Sequence, residues 1–282
     1  MIKIVTDSTS LITEEQATKY GITVIPLNVL IGDEVYKDGV TITGEELVNY
    51  IENNPDKAFP TTSQPAIGDF IQIYEDLTKD GSQVVSIHMT NILSGTVDTA
   101  QQAARMIGED KVTVINSHTT DQNLGQEVLA AAKLAQDPAT KLQDVVDRVN
   151  QIIDHSKLYI AVSTLKNLER GGRISRVKGM ISKLFNLHVV LQLTDEELGV
   201  QAKGRGNKTL KKWVREYVES IKGQDLQFVG LSYTGSEEFP QFVKEQVQAE
   251  FPDVEVRIMY TSAIVSIHAG INACGMEFIF KS

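Results

Sequence analysis

The chain has 282 residues, enough for one large domain or two of ordinary size, and its 41% apolar and 23% charged content suits a soluble globular protein. Its 27 basic and 37 acidic side chains leave a net charge of −10, which argues against phosphate-backbone binding and so against a nucleic-acid partner. The single cysteine, Cys274, cannot close an internal disulfide and reads as a small core residue. No apolar run approaches the roughly 18–20 residues of a membrane span, so at most peripheral membrane contact is expected. Met1–Asp7 lacks the apolar core of a signal peptide and reads as a first strand, which predicts a cytoplasmic protein.

In chain order, Ile2–Val5 predicts a short strand ending in the turn formers Thr6-Asp7-Ser8-Thr9-Ser10. A helix is expected over 13–20, stopped by Gly21, and then extended chain through Ile31 with a hairpin arm at Glu34-Val35-Tyr36. Thr43 and Glu46 have capping-box spacing at the start of a helix running to Ile51. Two prolines bracket four polar residues in Pro60-Thr61-Thr62-Ser63-Gln64-Pro65, a rigid polar loop before a helix over 66–77. Strand 84–88, helix 95–107, strand 112–115 and helix 124–135 then alternate as βαβ units of a parallel sheet do, and a helix over 142–153 follows.

Beyond that point the pattern changes. A strand over 158–162, a short helix over 164–169 ended by Gly171-Gly172, a basic run from Arg173 to Lys178 and an apolar run over 180–187 come next. A hairpin over 188–203, helices over 208–221 and 237–249, and strands near 227–231, 254–258 and 276–280 complete the chain. The predicted fold class is α/β: an N-terminal parallel-sheet domain over 1–155 and a C-terminal α+β domain over 156–282.

The most informative stretch is Thr90-Asn91-Ile92-Leu93-Ser94-Gly95-Thr96, where a strand enters a Ser-Gly-Thr turn and a helix leaves it. N–H groups at a helix start lack intrahelical acceptors and sit at the positive end of the macrodipole, so they and the Ser94 and Thr96 hydroxyls form an anion cradle. The plainer reading is that Ser94 N-caps its helix, and the 60–65 loop allows the same pair of readings. Both turns are expected at the carboxyl ends of the first domain's strands.

Catalytic signatures are mostly missing. A nucleophile elbow needs glycine two residues before its serine, and position 92 is Ile. There is no Walker A sequence, Gly204-Arg205-Gly206 departs from a dinucleotide fingerprint after three residues, and the five histidines lack metal-ligand spacing, so no metal or cofactor is expected.

Five pieces together resemble the DegV family of bacterial fatty-acid-binding proteins: Val5 to Ser10, Pro60 to Pro65, Leu93 to Thr96, Leu168 to Ile174 and His268-Ala269-Gly270. The likeness covers the whole chain and implies a long-chain fatty acid buried between the two domains. On this resemblance Thr62, Ser94 and Gly95 hold the carboxylate, with His268 and Arg173 near the same polar end. Met180, Leu184, Phe185 and Ile264 are candidates for the acyl pocket. The family's Gram-positive branch presents the carboxylate to a separate ATP-using fatty acid kinase, whose acyl phosphate feeds phospholipid synthesis. Arg205 and Lys208 are candidates for docking that kinase, and the chain itself is read as a carrier subunit, not an enzyme. Thr90-Asn91-Ile92 and Ile271-Asn272-Ala273 depart from the family pattern.

The physics agrees with the resemblance, since a carboxylate leaving water needs hydrogen bonds that two hydroxyls and helix-start N–H groups can give. At about 0.8 kcal/mol per methylene, a fourteen-methylene tail contributes roughly 11 kcal/mol before binding entropy is subtracted. Two rival readings are a serine hydrolase or acyltransferase using Ser94 and His268, and a regulatory protein with lipid as structural filler.

Overall fold

A computed structural model describes residues 1–178 and 187–281. In chain order come β1 (Ile2–Asp7), α1 (Glu14–Tyr20), β2 (Ile22–Ile25), β3 (Asn28–Ile31), β4 (Glu34–Lys37), α2 (Gly44–Asn53), β5 (Thr61–Ser63), α3 (Ile67–Thr78), β6 (Gln83–His88), α4 (Thr96–Ile107), β7 (Val112–Asn116), α5 (Asp121–Leu134) and α6 (Leu142–Asp154). They continue with β8 (Ser156–Val162), α7 (Lys166–Arg170), β9 (Val177–Lys178), β10 (His188–Leu193), β11 (Leu198–Gly204), α8 (Asn207–Ser220), β12 (Leu226–Tyr233), α9 (Glu238–Glu250), β13 (Glu255–Tyr260), α10 (Ala263–Ala269) and β14 (Cys274–Phe280).

The chain divides into two units, Met1–Asn28 with Ser63–Asp154, and Val29–Thr62 with His155–Ser282. Residues 29–62 therefore join the C-terminal half instead of a continuous 1–155 domain. Local contacts give the reason: α2 packs on α10, and Asp38 Oδ1 accepts the Ala263 N–H that opens α10, at 2.9 Å.

The first unit holds a parallel sheet in the order β2-β1-β6-β7. Its central strands are buried almost throughout, as parallel strands covered by helices must be. Val5, Val84 and Val112 share a core with Phe70 and Tyr74 of α3 and Ala100, Ala103 and Ala104 of α4. Strand alternation places Asp7 on the same face as Val5, and Ser86 and His88 on the same face as Val84, so a polar line runs through an apolar layer.

The second unit is built on a mixed seven-stranded sheet, β13-β12-β14-β8-β10-β11-β9. The expected 188–203 hairpin is β10–β11, antiparallel with one register shift between Val190 and Leu191. Helices α8 and α9 cover a core that includes Tyr159, Val214, Val243, Met276 and Phe278, with Cys274 buried in it. The three-stranded sheet β4-β3-β5 also falls here, apart from its end residues Asn28 and Ser63. The loop expected at 60–65 is thus partly strand, and of the two polar turns the 90–96 turn is the one that follows a strand of the parallel sheet. Among the described residues, no helix is long and apolar enough to cross a membrane.

Candidate functional site

In the second unit, α10 carries His268 on its last turn. Ser262 caps this short helix, its Oγ accepting the Val265 N–H at 3.1 Å. Helices α2 and α7 pack against α10. His268 Nε2 lies 2.9 Å from Thr62 Oγ1, which pairs two of the expected carboxylate residues. Gly171 sits against the other side of the ring, where a methyl group would overlap His268 Nδ1. Only glycine admits the imidazole so close to that backbone. The Gly171-Gly172 turn then carries Arg173 back over itself, Nη1 donating to the Gly171 carbonyl at 2.7 Å.

Burial, reinforced by the Arg173 guanidinium, pushes the His268 pKa down to about 4, so the ring is neutral at neutral pH. Burial and the neighbouring Arg176 also lower Arg173 from its ordinary value. Buried His268 Nδ1 has no hydrogen-bond partner among the described residues. A guanidinium, a neutral imidazole and a hydroxyl gathered in this way favour an anion, which would offset the burial and the Arg173 charge that together keep His268 unprotonated.

In the first unit the 90–96 turn is held by Thr90. Its carbonyl accepts the Leu93 and Ser94 N–H groups at 3.3 and 3.2 Å, and its hydroxyl accepts the Ile92 N–H at 3.2 Å. The N-cap of α4 is Gly95, without a side-chain cap, so Ser94 does not N-cap the helix. Ser94 Oγ instead accepts the Thr96 N–H at 3.3 Å and lies 2.8 Å from Thr96 Oγ1. A Cβ on Gly95 would lie 2.5 Å from Gln64 Oε1, so the missing side chain makes room for Gln64, whose Nε2 donates to Thr99 Oγ1 at 2.6 Å.

One polar set escaped the sequence reading. Tyr74 OH donates to Ser86 Oγ at 2.8 Å, Ser86 Oγ lies 2.7 Å from His88 Nε2, and His88 Nδ1 lies 3.1 Å from Asp7 Oδ2. Ser86 Oγ accepts the Tyr74 hydroxyl and keeps its own proton and a second lone pair for Nε2, so both ring nitrogens of His88 are satisfied within this set. Asp7 also accepts the Met89 N–H at 3.0 Å and the Thr9 N–H and hydroxyl at 3.0 and 2.6 Å. Burial opposes its charge, but these bonds outweigh it and hold its pKa below the usual carboxylate value. Ser, His and Asp here match a hydrolase triad in composition, yet all three are fully buried, so they serve as a strut tying β1 to β6. The available signal was the two-residue spacing of Ser86 and His88 on a strand otherwise apolar.

A family model described as DegV family, uncharacterised protein, matches residues 1–281. A DegV domain-containing protein of Streptococcus pneumoniae is 42% identical over 281 residues, covering 100% of this chain and 99% of its own length. One from Listeria monocytogenes is 36% identical, covering 96% of each. The chain belongs to the DegV family. Among solved family members, a Thermus thermophilus protein described for its fatty acid binding superposes with a TM-score of 0.89 at 28% identity, covering 99% of each chain. DegV of Bacillus subtilis, described as a fatty acid binding protein, gives 0.87 at 28% identity over 99% of each chain. The α/β fold class read from the sequence is the fold of this family.

The remaining expected residues lie as follows. Arg205 and Lys208 are exposed around the start of α8, and Ile264 is buried within α10. Met180, Leu184 and Phe185 lie outside the described residues. Where the chain departs from the family pattern after His268-Ala269-Gly270, Asn272 takes the left-handed backbone with φ 59° and accepts the Ser236 N–H through Oδ1 at 3.1 Å.

Proposed function

We propose that this chain binds a long-chain fatty acid in the cytoplasm and presents its carboxylate to a separate ATP-dependent fatty acid kinase, which makes the acyl phosphate used in phospholipid synthesis. The observation that carries the reading is the Thr62–His268 pair, with Arg173 acting on the same imidazole, in a chain that matches fatty-acid-binding DegV proteins along its whole length. A buried carboxylate needs charge-assisted hydrogen bonds, and this set offers a hydroxyl, a ring nitrogen and a guanidinium. Ser94 and Gly95 are proposed to add the hydroxyl and helix-start N–H groups of the first unit, and Ile264 to touch the acyl chain.

Native mass spectrometry of the freshly purified protein tests the reading. The wild type is expected to carry a mass equal to a long-chain fatty acid, and Thr62→Ala with Ser94→Ala to lose most of it while remaining folded. Undiminished lipid in the double variant would remove those hydroxyls from the site. Arg205 and Lys208 are proposed to dock the kinase, so Arg205→Ala should slow phosphorylation of bound acid at least several-fold without changing lipid content. Unchanged turnover would exclude that surface.

A further inference from the structure

A groove of about 650 Å³ opens in the second unit between α2, the 55–61 segment and Arg170 at the end of α7. Its size lies in the range of small-molecule sites. Tyr50, Ile51, Phe59 and Pro60 supply apolar wall, and Lys57 and Arg170 supply charge. Each cation lies over an aromatic ring: Lys57 Nζ is 5.7 Å from the centroid of Tyr50, and the Arg170 guanidinium carbon is 5.2 Å from that of Phe59. Such stacking restrains a long side chain while leaving N–H groups free to donate.

Charge and apolar wall occur together here. The chain as a whole has ten more acidic than basic side chains, yet no carboxylate lines this groove. Among the described residues, neither Lys57 nor Arg170 has an ion-pair partner, and both are exposed, so their charge is open to a ligand in the groove. Two unneutralised cations over two aromatic faces complement a molecule with an anionic head and a flat apolar body. A simple ion would leave the apolar wall at Ile51 and Pro60 unused, and a neutral apolar molecule would leave the cations unused.

We propose that this groove is a second ligand site, separate from the Thr62–His268 pair, for a small aromatic carboxylate or phosphate. Arg170 takes the oxyanion with its planar fork, Lys57 adds a second charge, and the aromatic body lies along the apolar wall that Ile51 and Pro60 form beside the two cation-stacked rings. The proposal stands whether or not the protein carries a fatty acid.

Titration of phenyl phosphate, benzoate, inorganic phosphate and benzyl alcohol into the protein as purified, followed by calorimetry, tests it. Phenyl phosphate or benzoate should bind saturably, and whichever binds more tightly names the head group. Inorganic phosphate and benzyl alcohol should each bind at least ten-fold more weakly. Arg170→Gln and Lys57→Gln should each weaken binding about ten-fold, and Ala58→Trp, which adds bulk to the groove lining while leaving both cations in the sequence, should weaken it at least as much. Equal affinity in these three variants, equal affinity for benzyl alcohol, or no saturable binding at millimolar concentration would each overturn the site. Mass spectrometry of retained lipid on the same samples reports separately on the fatty-acid reading.

Discussion

The two histidines nearest this protein's candidate chemistry, His88 and His268, are held in opposite ways. His88 is fully buried, with Ser86 on one ring nitrogen and Asp7 on the other. His268 has Thr62 on one nitrogen, no partner on the other among the described residues, and a guanidinium acting against its charge. A group with every atom paired has nothing left to offer a ligand, and its worth is structural. An imidazole buried with one nitrogen unpaired and a cation beside it costs free energy that an incoming anion can return. The contrast predicts that damage at the first site is read in stability and damage at the second in binding.

The largest expected effect is therefore at Asp7. Asp7→Ala removes the partner of His88 and strands the Thr9 and Met89 N–H groups, and breaking such a buried set costs about 3–5 kcal/mol. Urea unfolding should show a correspondingly earlier midpoint, while His268→Gln should change the unfolding free energy by less than about 1 kcal/mol. Equal losses in the two variants would break the comparison. The pH dependence has a definite sign: the native pKa of Asp7 lies below the ordinary carboxylate value of 3.8, so its contribution is complete above that pH and fades as pH falls toward the native pKa.

What the sequence made legible was local. The capping box at Thr43 and Glu46 is present, with the Thr43 N–H bonded to Glu46 Oε2 at 2.8 Å and the Glu46 N–H to Thr43 Oγ1 at 3.2 Å. The βαβ alternation of the first unit was visible because hydrophobic periodicity needs only neighbouring residues. Helix α10 was not, since its seven residues are nearly all apolar and show no polar face. Part of its start is fixed by Asp38, 225 positions earlier, which no window on the sequence would join to it. The same distant packing moved residues 29–62 out of the first unit. Of the site, the residue types were readable from the family motifs, but the closure of Gly171 on His268 and the resulting depressed pKa exist only in three dimensions.

The smallest expected effect, and the sharpest test of the contrast, is a change in titration with little change in fold. His268 has a native pKa of about 4 against the ordinary imidazole value of 6.5. Between those values the unfolded chain binds more protons than the native one, so stability falls as pH drops from 6.5 toward 4 and levels off below. Burial is the first cause of the depression and the Arg173 charge the second. Arg173→Met removes the second and keeps the first, so the pKa should rise only part of the way to 6.5. Ring-proton NMR titration of the lipid-free protein would follow it directly. Adding a long-chain fatty acid to the wild type should also raise the pKa, because a carboxylate beside His268 favours the imidazolium and binding then takes up a proton. If the fatty acid binds and the His268 titration does not move, the carboxylate lies elsewhere, and the unpaired nitrogen is a feature of packing alone.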